Sequence, residues 1–148
     1  MQAKYLIPAI FSVALSACNG SGPATEAPAV PVPTLSELPA PWNEADPGNG
    51  ATVFAKCRSC HTVVAREGNK VGPNLHGVFD RPPATARKFN YSAVLKDFDA
   101  ERWTPELVDQ WLRQPKKFLP GNAMFFDGIA EEKDRRDLIA WLLIETRK

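Results

Sequence analysis

Cys57-Arg58-Ser59-Cys60-His61 decides how the rest of this chain is read. A Cys-x-x-Cys-His run is the attachment site of a c-type haem. On one helical turn, two thiols three residues apart share a face. From there both can reach the haem vinyl groups, and His61 follows at once to meet the iron. Cys-x-x-Cys by itself also fits a thioredoxin-like redox pair or half of a zinc site. Each of those needs something absent here: with three cysteines in all there is no second pair, and no βαβ pattern surrounds the motif. One haem c, covalent through Cys57 and Cys60, is therefore the expected cofactor.

Upstream of the motif, Lys4 and the apolar run Tyr5 to Leu15 read as an export signal over residues 1–17. The run is too short to cross a bilayer as a stable helix. Leu15-Ser16-Ala17-Cys18 resembles the lipobox of bacterial lipoprotein signals, where cleavage leaves the cysteine as a lipid-modified N-terminus. An ordinary secretory signal with Cys18 at its junction is the other reading. Both export the domain, and lipid on Cys18 would hold it on the periplasmic side of a bacterial membrane. Residues 19–48 contain seven prolines, four acids and no base. Such a composition favours extended backbone and buries too little apolar surface to offset the entropy of ordering it. A lipidated Cys18 followed by a flexible Pro/Ala-rich linker is thus expected over 18–48, with Trp42 docked on the domain edge. At about 3.1 Å per residue, that linker reaches tens of ångströms.

The remaining 100 residues, 49–148, form the expected domain. They carry 17 Lys or Arg against 13 Asp or Glu, a net of +4 that the whole-chain value of +1 conceals. A domain this small has a marginal all-protein core, to which a buried flat cofactor adds apolar contact. Asp46-Pro47 reads as a helix start with Val53, Phe54 and Cys57 on one face. Gly68, Gly72-Pro73, Gly77 and Pro82-Pro83 then impose a loop. Ser92 opens a short helix to Lys96. Thr104-Pro105-Glu106 opens a clearer one with Leu107, Val108, Trp111 and Leu112 on its stripe, ended by Pro115. A last helix from about Glu131 has Leu138, Ile139, Trp141 and Leu142 as its apolar face and Arg147-Lys148 at its C-terminus. No strand alternation appears, so the fold class is all-α.

A haem iron held by one histidine leaves a sixth position to fill. After signal removal Met124 is the only methionine, in Pro120-Gly121-Asn122-Ala123-Met124-Phe125, where Pro and Gly make a turn that presents a thioether inward. A gap-filling methionine in the core is the alternative use. His76, in the Gly/Pro-rich loop, is a second candidate, and lysines a third once deprotonated.

From about residue 49 onward the sequence resembles the class I cytochromes c of mitochondria and bacteria. The matching residues are Lys56-Cys57-x-x-Cys60-His61-Thr62, Gly72-Pro73-Asn74-Leu75-His76-Gly77-Val78-Phe79, Arg81, Asn90-Tyr91-Ser92 and Trp103. They continue with Pro115-Lys116-Lys117-Phe118-Leu119-Pro120-Gly121, Met124, Phe126 and Asp137-Leu138-Ile139-Ala140-Trp141-Leu142. The resemblance implies helices and loops wrapped around one covalent haem, with His61 and Met124 on its iron. It implies the Pro73 carbonyl on the His61 ring N–H, and Arg81, Tyr91 and Trp103 around the propionates. Three departures stand out: Leu95 where mitochondrial members usually have Asn, Trp111 where they often have Tyr, and one extra residue between Leu95 and Trp103. The first two predict a drier crevice and a potential at least as positive as a polar one gives.

Two protein ligands on the iron leave one-electron transfer through the haem edge as the available chemistry, so a carrier is expected and not an enzyme. Lys56, Lys70, Lys116 and Lys117 flank the crevice segments, either as a docking ring for acidic partner surfaces or as a solvated charged face. The resemblance implies membrane redox complexes as partners: quinol-oxidising cytochrome complexes upstream, terminal oxidases or reductases downstream. Nothing in the sequence supports nucleic-acid binding, and a monomer is expected. The rival readings are a haem peroxidase or gas sensor with a weak distal ligand, and a fixed haem subunit of a larger oxidoreductase.

Overall fold

Asp46 starts the first helix. In the computed structural model, which describes residues 31–148, its carboxylate accepts the Gly48 N–H at 2.9 Å and the Asn49 N–H at 3.1 Å, and Pro47 fills the first position of α1, Pro47–Phe54. That satisfies two of the donors a helix start leaves bare. Asp46→Ala is expected to cost about 1 kcal/mol of stability in a denaturant titration, with no change at the cysteine motif. Past Phe54 the backbone continues in tight turns that carry the motif: Cys57 N–H donates to the Phe54 carbonyl at 2.8 Å, and His61 N–H to the Cys57 carbonyl at 2.9 Å.

The Gly/Pro-rich segment after His61 holds no helix longer than the single turn Val78–Asp80, in keeping with its density of breakers. Helix α2, Ala93–Lys96, follows Ser92, whose side chain makes no capping bond. Helix α3, Pro105–Arg113, is capped by Thr104, whose Oγ1 accepts the Leu107 N–H at 3.2 Å. Pro115 then opens α4, Pro115–Phe118, because it fixes the first-turn backbone angle there as well. Helix α5, Glu132–Glu145, carries the buried side chains Leu138, Ile139, Leu142 and Leu143. Arg147 lies beyond it and pairs with Asp80, its Nη2 2.7 Å from Oδ1, a pairing with the distant turn and not with the helix end. No strand occurs among the described residues.

Helix α1 packs on α5. Gly50 lies at the crossing, where a Cβ would sit 2.2 Å from the Asp137 carbonyl oxygen and 2.7 Å from Trp141 Cβ. The absence of a side chain there lets the two backbones touch. The Phe54 and Trp141 rings stack beside the contact, centroids 4.6 Å apart. Two charged residues of α5 are buried as well. Asp137 accepts from the Asp46 N–H at 3.0 Å and the Asn49 amide at 2.8 Å, and pairs with Lys133. Arg135 donates to Asp109 of α3 at 2.7 Å and to the Ile129 and Ala130 carbonyls. Complete hydrogen bonding is what makes burial of such groups tolerable.

The segment before α1 departs from its composition. A flexible linker is expected through residue 48, yet residues 34–46 fold onto the domain: a turn at Leu35–Glu37, a second at Trp42–Glu44, and Leu38, Trp42 and Ala45 in the core. Trp42 is only 6% exposed. Leu35, Leu38 and Trp42, spaced among the prolines, supply the apolar area that the composition as a whole lacks. The ordered unit therefore begins before residue 49. The signal over residues 1–17, Cys18 and the linker up to residue 30 lie outside the described residues. No helix among those described is long and apolar enough to cross a membrane.

Candidate functional site

The motif, the Gly72-Pro73 loop, α3, α5 and the segment around Met124 enclose one cavity of about 370 Å³. Its wall is mostly apolar, with Phe54, Leu75, Leu95, Leu112, Leu138 and Leu142 among the lining side chains. Cys57, Cys60 and His61 line one part of it and Met124 another, so residues 67 positions apart in sequence face the same space. Cys57 and Cys60 form no disulfide with each other, so both sulfurs are available for thioether bonds to a haem. Before that attachment, burial pushes the Cys57 thiol up to about 11, against a small downward pull from Lys56.

His61 Nδ1 lies 2.7 Å from the Pro73 carbonyl oxygen. A carbonyl only accepts, so Nδ1 carries the proton of the neutral ring and Nε2 keeps its lone pair free. Burial depresses the imidazole pKa, offset in part by the bond to Pro73 and reinforced by Lys70, which favours that neutral form. The position of the ring is also fixed sterically: a Cβ on Gly72 would lie 2.4 Å from His61 Cε1. Two thiols, a neutral oriented imidazole and a soft thioether on an apolar cavity fit a haem c in donor type and in the polarity of the wall.

Of the remaining candidates, Lys56, Arg81, Tyr91 and Trp103 line the cavity, while Lys70, His76, Lys116 and Lys117 do not. Tyr91 is buried, its hydroxyl accepting the Ala86 N–H at 3.2 Å and its ring edge-on to Phe89 at 4.7 Å. Trp103 is buried in an aromatic cluster with Phe98, Trp111 and Phe118, with centroids 5.5–6.0 Å apart. Arg81 lines the cavity and donates through Nη2 to the Asn74 carbonyl at 2.9 Å. Lys56 lines the cavity as well. Lys70 Nζ donates to the Arg58 and His61 carbonyls at 2.9 and 3.2 Å, pinning the motif's turn. Lys116 lies 4.9 Å over the Phe125 ring and 3.8 Å from Asp127, while Lys117 is in the last turn of α4. His76 does not line the cavity, and its Nδ1 has no hydrogen-bond partner.

Sequence reasoning missed Asn122, which lines the cavity two residues from Met124. The signal was present: an Asn after a Pro-Gly turn tends to accept the N–H two residues on, and Asn122 Oδ1 accepts the Met124 N–H at 2.9 Å.

A sequence-family profile for cytochrome c matches residues 48–144. Cytochrome c of Ulva intestinalis is 46% identical over 98 residues, covering 66% of this chain and 87% of that protein. Cytochrome c of Stellaria longipes is 40% identical over 107 residues, covering 72% of this chain and 98% of the relative. Among solved structures, cytochrome cH from Methylobacterium extorquens superposes with a TM-score of 0.61 at 37% identity, over 66% of this chain and 97% of its own. The chain belongs to the cytochrome c family, with the class I fold: an electron carrier and not an enzyme, holding one haem c covalently through Cys57 and Cys60.

Proposed function

We propose that His61 and Met124 are the two axial ligands, and that the domain is held by lipid on Cys18 at the periplasmic side of a bacterial membrane. There it carries electrons from a quinol-oxidising cytochrome complex to a terminal oxidase. The observation that carries the ligand assignment is that His61, oriented by Pro73, and Met124 line the same apolar cavity. Haem c, when bound, supplies reversible one-electron reduction of its iron. The protein's residues do the rest. Cys57 and Cys60 fix the cofactor covalently, and the Pro73 carbonyl holds the His61 tautomer and raises its basicity. Leu95, Trp111 and Leu138 would exclude water, and Arg81, Tyr91 and Trp103 would receive the propionates. A neutral thioether opposite the imidazole favours the ferrous state and so a positive potential.

The surface reading is supported by the basic excess of the domain and by Lys56, Lys70, Lys116 and Lys117 beside the cavity segments. Such charge speeds encounter with an acidic partner surface. Tethering would raise the effective concentration at membrane partners. Cys18→Ser is expected to move the protein from the membrane to the soluble periplasmic fraction. Equal partition of both forms would remove the anchor.

The ligand assignment is tested on the purified holoprotein by its oxidised and reduced visible spectra and by carbon monoxide. The weak near-infrared sulfur-to-iron band with no carbon monoxide shift is the expected result. An absent band with ready carbon monoxide binding means an open iron and a haem enzyme or sensor. Leu95 lines the cavity, and Leu95→Asn is expected to lower the midpoint potential in a redox titration by making the wall more polar. A raised potential would contradict the dry-crevice argument.

A further inference from the structure

The thioether assigned to the iron sits on a stretch that Phe126 packs against the core, that Lys116 touches at Phe125 and Asp127, and whose two ends are held by hydrogen bonds. From Gly121 to Gly128 the side chains alternate. Asn122, Met124 and Phe126 are half-buried, while Ala123, Phe125 and Asp127 are exposed, as extended backbone turns successive residues to opposite sides. Phe125 is 96% exposed, so its ring does nothing to anchor the stretch to the core. Just past the far end, the Ile129 N–H donates to the Leu112 carbonyl at 2.8 Å. At the near end the Asn122 N–H donates to the Leu119 carbonyl at 3.2 Å, and the Asn122 side chain adds three further bonds. Asn122 Nδ2 donates to the Pro115 carbonyl at 2.9 Å and the Leu119 carbonyl at 2.8 Å, and its Oδ1 accepts the Met124 N–H at 2.9 Å. Carbonyls cannot donate and an N–H cannot accept, so only one orientation of the amide satisfies all three bonds. A rigid planar group therefore links α4 to the Met124 backbone.

We infer that Asn122 is the positioning residue for Met124, setting how firmly the sixth position is closed without governing whether the domain folds. The inference rests on Met124 being the distal ligand. The amide occupies both donors and its oxygen on a half-buried residue outside the hydrophobic core, so its loss frees one loop and leaves the α1–α5 contact untouched.

The test is imidazole binding to the ferric holoprotein, followed at the sulfur-to-iron band. An incoming ligand competes only with the open form, so apparent affinity reports the fraction of molecules with the thioether off. Asn122→Ala is expected to bind imidazole about tenfold more tightly, the effect of losing hydrogen bonds of ordinary strength. Asn122→Ser, whose hydroxyl can keep one bond, should fall between. Asp46→Ala is the control: it weakens a helix start remote from the cavity and should bind imidazole as the parent protein does. An Asn122→Ala affinity equal to the parent's, or an equal shift in Asp46→Ala, would overturn the inference. If Asn122→Ala does not yield holoprotein, the serine variant decides by the same comparison. A parent protein with no sulfur-to-iron band would instead mean that the ligand assignment has failed and the clamp with it, an outcome distinct from an intact band that Asn122 does not affect.

Discussion

Replacing Met124 by alanine is expected to abolish the sulfur-to-iron band, open the ferrous protein to carbon monoxide, and lower the midpoint potential. The drop should be a sizeable part of the roughly 0.8 V range over which axial ligands set haem potentials. The neutral thioether favours the ferrous form, and an alanine leaves the sixth position to water or an added ligand. His76 does not line the cavity, and so no imidazole is at hand to take the place of the lost sulfur. The measurement is a redox titration alongside spectra with and without carbon monoxide. A variant whose spectrum and potential match the parent's would show that Met124 is core filling. The fold should survive, since the cysteine motif, the α1–α5 crossing and the Pro73 bond to His61 lie elsewhere.

Asp137→Ala should give the largest loss of stability, about 3 kcal/mol, or a fall of more than about 10 °C in the melting temperature of a domain this size. Asp137 has no exposed surface, and its removal strands the Asp46 N–H, takes one of the two acceptors of the Asn49 amide and breaks the pair with Lys133. Burial pushes its carboxyl pKa up, but the bonds from Lys133, Asp46 and Asn49 together outweigh that and hold it below the ordinary value of 3.8. A carboxyl depressed in the folded state contributes its stability in full above the unfolded value and loses it as pH falls through the folded one. The gap between parent and variant should therefore be constant from neutrality down to about pH 5 and close only below 3.8. Melting curves at stepped pH check both parts. A gap that widens on acidification would refute the assignment of charge.

The helices were legible where local rules agree with the fold. Asp46-Pro47 and Thr104-Pro105 give a cap and a first-turn proline together, and both helices begin there. The Cys57–His61 motif was legible because donor types and spacing are local properties, whereas the roles of Pro73 and Met124 came only from the resemblance to the class I cytochromes c. Three features were not legible, each for a physical reason. Residues 34–46 carry the composition of a linker, and only the tertiary fit of Leu38 and Trp42 makes them ordered. The burial of Arg135 and Asp137 has no local signal, since their partners, Asp109 and the start of α1, lie far away in sequence. Asn122 looked like one more turn residue until both carbonyls it bridges were in place.

The folded stretch ahead of α1 also lies across two helices from the site. On α3, Val108, Trp111 and Leu112 line the cavity, while Glu106, Asp109, Gln110 and Arg113 line a separate groove with Pro41 and Trp42. On α5, Leu138 and Leu142 look into the cavity, and Glu132, Lys133 and Arg136 look into that groove. The two helices thus form a partition with Met124 on one side and Trp42 on the other. A substitution at Trp42, or anything received in the groove that Trp42 lines, therefore acts behind that partition and does not touch the loop that carries the thioether.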